Sequence, residues 1–199
     1  MSVVEIKRTP KPGDRMTVAE FESLGLPEDS SLILVNEIVY DENGGDTNLT
    51  KRNRHHARIE ALVSHFLESW VRQVSFPGKV FSGEVGCVLS GDGLSVGIDV
   101  ALFSNSTLDQ VSEDSPYVTG PPIVAVEILS PSDHIESVES KIQGYLNCGV
   151  RQVWVISPRM KNIVIHTSDG EPRIYSKEAV IDGGDILPGF SVVASTLLN

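Results

Sequence analysis

The sequence predicts one α/β domain, a mixed sheet flanked by helices, with a βαβ unit in its C-terminal half. Three observations carry that expectation. The run Ile123-Val124-Ala125-Val126-Glu127-Ile128-Leu129 is apolar and rich in β-branched residues apart from one acid, and Pro122 and Pro131 bound it. Such a run reads as a central strand covered on both faces. A helical pattern then runs to about Asn147, and Val153-Trp154-Val155-Ile156 is a second short apolar run stopped by Pro158. Strand, helix and strand in that order require parallel strands joined by a right-handed crossover. Finally, Ile59, Leu62, Val63, Phe66, Leu67, Trp70 and Val71 recur at three- and four-residue steps, giving one long helix with a broad apolar face.

Taken in chain order, residues 1–15 read as a flexible N-terminal arm and 16–199 as the domain. Thr17 and Glu20 have capping-box spacing and open a short helix that ends near Gly25 and Pro27. Leu32 to Tyr40 reads as strand, folded into a hairpin at Asn36, and Asp41–Asn48 as loop. The long helix spans about Arg54–Val74, with Pro77 and Gly78 after it. Strands follow near Val80–Leu89 and Val96–Phe103, joined at Gly91-Asp92-Gly93. Ser104–Thr119 is polar and acidic, a surface loop by composition. Beyond the Glu127 strand, Asp133 and Glu136 give a second capping-box spacing, and Gly149 is placed as the residue that closes the helix. A last hairpin turns around Ser168-Asp169-Gly170.

The 199 residues hold 40% hydrophobic and 22% charged side chains, enough apolar material for one core without staples. No apolar run approaches the roughly 20 residues that span a bilayer, and the first residues lack a signal-peptide pattern, so a cytoplasmic location without membrane contact is expected. Cys87 and Cys148 stand far apart and offer neither a disulfide framework nor paired zinc-ligand spacing. The formal net charge of −11 argues against tight non-specific binding to nucleic acid. The one basic cluster, Lys51-Arg52-Asn53-Arg54-His55-His56-Ala57-Arg58, is the candidate nucleic-acid contact, through Lys51, Arg52, Arg54 and Arg58. A solvated helix start explains the same cluster.

Glu127 is the most informative residue. An ionised carboxylate in a strand covered on both faces costs several kcal/mol unless a cation compensates it. Asp99 repeats the oddity within Val96–Phe103, so two acids on neighbouring strands point to a shared cation site. Lys141 lies three residues after Val138 and four before Tyr145, on the helical stripe that faces the sheet. Two hard carboxylates and a lysine suit Mg²⁺ or Mn²⁺. The chemistry such a set supports is metal-assisted phosphodiester hydrolysis, with activated water and a lysine that offsets charge on the phosphate. Glu84, on the preceding strand, and His56, at the helix start, are possible accessory residues. Nothing supports a serine triad or a glycine-rich phosphate loop.

The segment Val126-Glu127-Ile128-Leu129-Ser130-Pro131-Ser132, with Lys141, Tyr145, Gly149-Val150 and Trp154 after it, resembles the Uma family, described as putative restriction endonucleases of the PD-(D/E)xK type. The resemblance covers about residues 16–198. It implies a restriction-endonuclease-like fold, with the two motif carboxylates on Asp99 and Glu127. Leu129 stands where the motif lysine would be, and Lys141 resembles its relocated substitute. The resulting expectation is a Mg²⁺- or Mn²⁺-dependent endonuclease acting on DNA, with Asp99, Glu127 and Lys141 catalytic and Asp99 and Glu127 holding the metal. Cleavage of both strands by a domain of this size calls for a homodimer. The alternative is a catalytically silent module of the same fold that binds nucleic acid or a protein partner.

Overall fold

The computed structural model describes residues 9–26, 30–35, 37–41, 54–89, 94–112, 114–130 and 133–199. Helix α1 (Val18–Glu22) starts at Thr17, whose hydroxyl accepts the Glu20 N–H while the Glu20 carboxylate accepts the Thr17 N–H, the expected capping box. Strands β1 (Leu32–Val35) and β2 (Ile38–Asp41) form the first hairpin. Its expected turn residue Asn36, the loop 42–53 and the expected turn at 91–93 lie outside the described residues. The end of the expected arm is tied to the sheet: the Gly13 N–H donates to the Val39 carbonyl, and Arg15 bridges to Ile38.

Helix α2 (Arg54–Gln73) carries the predicted apolar stripe inward, with Ile59, Val63, Leu67, Trp70 and Val71 buried. The next two strands are longer than expected, β3 (Gly78–Leu89) and β4 (Leu94–Ser104). The stretch read as one loop is more structured. Ser104 caps a short helix α3 (Asn105–Leu108), and β5 (Val118–Thr119) runs parallel to β3. Single-turn helices and two-residue strands lack enough periodicity to be read from sequence.

Strand β6 (Val124–Ile128), helix α4 (Ile135–Asn147) and strand β7 (Gln152–Ser157) form the predicted βαβ unit, with β6 and β7 parallel. Gly149 has φ +96 just past α4, a conformation that glycine adopts without steric penalty. The other end differs from expectation. His134, not Asp133, is the residue before the first helical turn, and it makes no side-chain cap. The Asp133 carboxylate instead accepts the Ser130 N–H and hydroxyl, and so closes the strand-to-helix turn.

Strands β8 (Asn162–Thr167) and β9 (Gly170–Ser176) make the expected hairpin. A two-stranded sheet of β10 (Val180–Asp182) and β11 (Ser191–Val193) and a short helix α5 (Ala194–Leu197) follow. The main sheet runs β2-β1-β4-β6-β7-β8-β9, and β3 lies along β4. One face packs on α2 and α5 through Val100, Leu102, Val126, Ile128 and Trp154. The other packs on α4, which contributes Ile142, through Ile98, Ala101, Ala125 and Val155. Cys87 and Cys148 form no disulfide, and burial pushes the Cys87 thiol up to about 12. No helix among the described residues is long and apolar enough to cross a membrane.

Candidate active site

Strand β4 is the element that positions the first acid. It faces the α4-side core with Leu94, Val96 and Ile98 and then with Ala101 and Phe103, so its alternation shifts by one residue part-way along. Ile98 belongs to the core on the α4 side, whereas Val100 belongs to the core on the α2 side. The switch falls at Asp99. Across from it, β3 carries a bulge: Ser82 pairs with Val100 and Val85 with Ile98, so Gly83 and Glu84 together oppose one residue. Gly83 has φ +90 and Glu84 φ +59. Bulges sharpen the local twist, and this one lies directly across from Asp99.

Strands β4 and β6 pair antiparallel through Leu102–Val124, Ala101–Ala125 and Val100–Val126. One step further along that register, Asp99 stands opposite Glu127. Regular pairing stops there, and the Asp99 side chain fills the fork. Its Oδ2 accepts the Ile128 N–H at 2.7 Å, so a backbone donor at the end of the ladder is satisfied by a carboxylate. His56 reaches the same oxygen from the first turn of α2, with Nε2 at 3.2 Å, and its Nδ1 lies 3.7 Å from Glu60 Oε2. Asp99 is 8% exposed.

Glu127 is held from the other layer. Helix α4 presents Lys141 and Tyr145 one turn apart on its buried face, as the stripe at i and i+4 predicts. The Lys141 ammonium donates to Glu127 Oε2 at 3.2 Å, and the Tyr145 hydroxyl donates to Oε1 at 2.6 Å. Lys141 is only 5% exposed, so this ion pair sits in a low-dielectric setting. The expectation that Glu127 needs a compensating cation is met within the protein by Lys141.

The structure thus brings Asp99, Glu127 and Lys141 to neighbouring positions and adds His56 and Tyr145 as direct partners of the two acids. In the sequence Tyr145 is a stripe residue and one of those that carry the family resemblance, with no contact assigned to its hydroxyl. Its spacing of four from Lys141 was the available signal for a second contact on the same carboxylate. Glu84 is exposed on the bulge, and a side chain at Gly97 would meet its Cβ at 3.3 Å, so it packs beside β4 two residues from Asp99. Arg54 and Arg58 are exposed at the start of α2. Lys51 and Arg52 lie outside the described residues. Among the described residues, no group of three or more His, Cys, Asp or Glu side chains is arranged to hold a metal ion.

The mixed sheet with helices on both faces is a restriction-endonuclease-like fold. The crystal structure of a putative nuclease from Anabaena variabilis matches it with a TM-score of 0.76 at 19% identity, over 92% of this chain and 97% of that chain. Residues 20–197 match the model of the Uma2 family, described as "Putative restriction endonuclease", and the chain belongs to that family. No curated protein matches it.

Proposed function

We propose that this protein is a divalent-metal-dependent endonuclease that hydrolyses phosphodiester bonds in DNA. The observation that carries the reading is the placement of Asp99 and Glu127 at one level of two adjacent strands, with Lys141 on Glu127. The donor set fits Mg²⁺ or Mn²⁺. Mg²⁺ commonly takes one or two protein carboxylates and fills its octahedron with water and substrate phosphate. Two carboxylate oxygen donors match that habit. Asp99 and Glu127 would hold the ion, which supplies an activated water and offsets charge on a phosphate oxygen.

The chain's own residues do the rest. The Lys141 ammonium, buried where water screens it little, stabilises negative charge that develops on the scissile phosphate. His56 keeps Asp99 aimed, with Glu60 on its far side. Its position on α2 also joins the acids to the basic helix start, where Arg54 and Arg58, with Lys51 and Arg52 before them, draw phosphate toward the positive end of the helix dipole. Replacing Lys51, Arg52, Arg54 and Arg58 together by Ser should weaken DNA binding several-fold and flatten its salt dependence by about two to four phosphate contacts. Binding that survives the substitution would move the docking surface elsewhere.

Double-strand cleavage by this domain requires a second active site, so a homodimer is the proposed working form, in the cytoplasm. A specific observation favours a second reading. Both acids already have protein partners, and the chain carries a net charge of −11, so the fold can serve as a silent binding module. Incubation with supercoiled DNA decides between them. The nuclease reading expects nicked and linear products with Mg²⁺ or Mn²⁺ and none in EDTA. DNA retained in EDTA without product in either metal supports the silent module.

A further inference from the structure

We propose that Tyr145 is a positioning residue for Glu127, its hydroxyl setting the orientation in which that carboxylate meets a divalent cation. The inference rests on the nuclease reading above. Tyr145 is 0% exposed, and its ring packs in the core on the α4 side of the sheet, in the cluster that holds Ile98, Ala125, Ile142 and Val155. A buried phenol hydroxyl needs a polar partner. This one takes Glu127 Oε1 at 2.6 Å, the short distance typical of an O–H donor on a carboxylate.

The two groups on Glu127 differ in kind. Lys141 Nζ, 3.2 Å from Oε2, ends a chain of four rotatable bonds. The Tyr145 ring has two torsions, both fixed by the packing around it. Its hydroxyl therefore pins one oxygen of Glu127, and with it the plane of the carboxylate. Hydrogen bonds of this sort, made to a metal ligand from behind, set metal affinity by about 10- to 100-fold.

The test is Tyr145→Phe, which keeps the ring and removes only the hydroxyl, read by calorimetric Mn²⁺ titration beside wild type and Glu127→Ala. Tyr145→Phe should still fold, melting a few degrees below wild type in EDTA because a buried carboxylate loses a donor, and should bind Mn²⁺ about 10-fold or more weakly. With Mg²⁺ its kcat should fall while KM for DNA holds. Wild-type Mn²⁺ affinity in Tyr145→Phe, with the site lost in Glu127→Ala, overturns the role of Tyr145 alone. A protein that no longer folds, or that melts far lower with unchanged affinity, makes the hydroxyl a structural strut and overturns it as well. Equal Mn²⁺ binding by wild type and Glu127→Ala removes the metal reading, and the proposal falls with it.

Discussion

Replacing Lys141 by Met is expected to lower stability in EDTA by about 3–5 kcal/mol, the usual effect of stranding one partner of a buried ion pair. Lys141 and Glu127 are 7% and 13% exposed at the side chain, so water cannot take over from the ammonium at 3.2 Å. Sequence alone suggests a catalytic lysine; the pairing with Glu127 gives it a structural role as well. The double variant Lys141→Met/Glu127→Gln removes the charge together with its counter-ion and should recover most of the loss. Saturating Mn²⁺ should also restore the single variant, by about 2.7 kcal/mol at a hundredfold excess over Kd. Urea unfolding in EDTA and in Mn²⁺ checks all three. Cleavage should stay depressed about 10²- to 10³-fold even where stability returns, because charge opposite the phosphate is still missing. A Lys141→Met protein as stable as wild type in EDTA would show that the pair does not compensate Glu127.

Asp99→Asn should abolish detectable cleavage, a loss of about 10³-fold or more on the scale of removed acid–base and electrostatic groups. The substitution keeps the shape at the fork. The Asn carbonyl oxygen can still accept the Ile128 N–H that Asp99 Oδ2 takes at 2.7 Å, so the end of the β4–β6 ladder should hold. What disappears is one of the two negative charges. Stability in EDTA should change by about 1 kcal/mol or less, because the exchange keeps the shape and leaves no buried donor orphaned. Activity within a few fold of wild type would remove Asp99 from the reaction. A large loss of stability would make it a structural acid that closes the sheet.

Much of this arrangement was legible because charge and periodicity conflict at specific residues. Glu127 and Asp99 stand out as acids in apolar strands, and the stripe of Val138, Lys141 and Tyr145 assigns Lys141 to the sheet side of its helix. The long helix is readable because Ile59 to Val71 keeps a regular step over more than three turns. What sequence did not reveal is non-local. His56 meets Asp99 across 43 residues of chain, and nothing at a helix start announces that contact. The bulge at Gly83-Glu84 is visible only once β4 is laid beside β3, since one extra residue leaves alternation on each side intact. Tyr145 at a buried stripe position reads as packing until its hydroxyl is seen on Glu127. The cap at α4 was misassigned for a local reason, because Asp133 spends its carboxylate on Ser130 before the helix begins.

The claim on which the rest depends is that Asp99 and Glu127 form one cation site rather than two separate structural ion pairs. Calorimetric titration of Mn²⁺ into wild type, Asp99→Asn and Glu127→Gln addresses it directly. One site per chain in wild type, lost or weakened by about 10-fold or more in both variants, is the result predicted for two ligands sharing an ion. Equal Mn²⁺ binding in all three proteins, or no binding in any, would contradict it and leave Asp99 to His56 and Glu127 to Lys141.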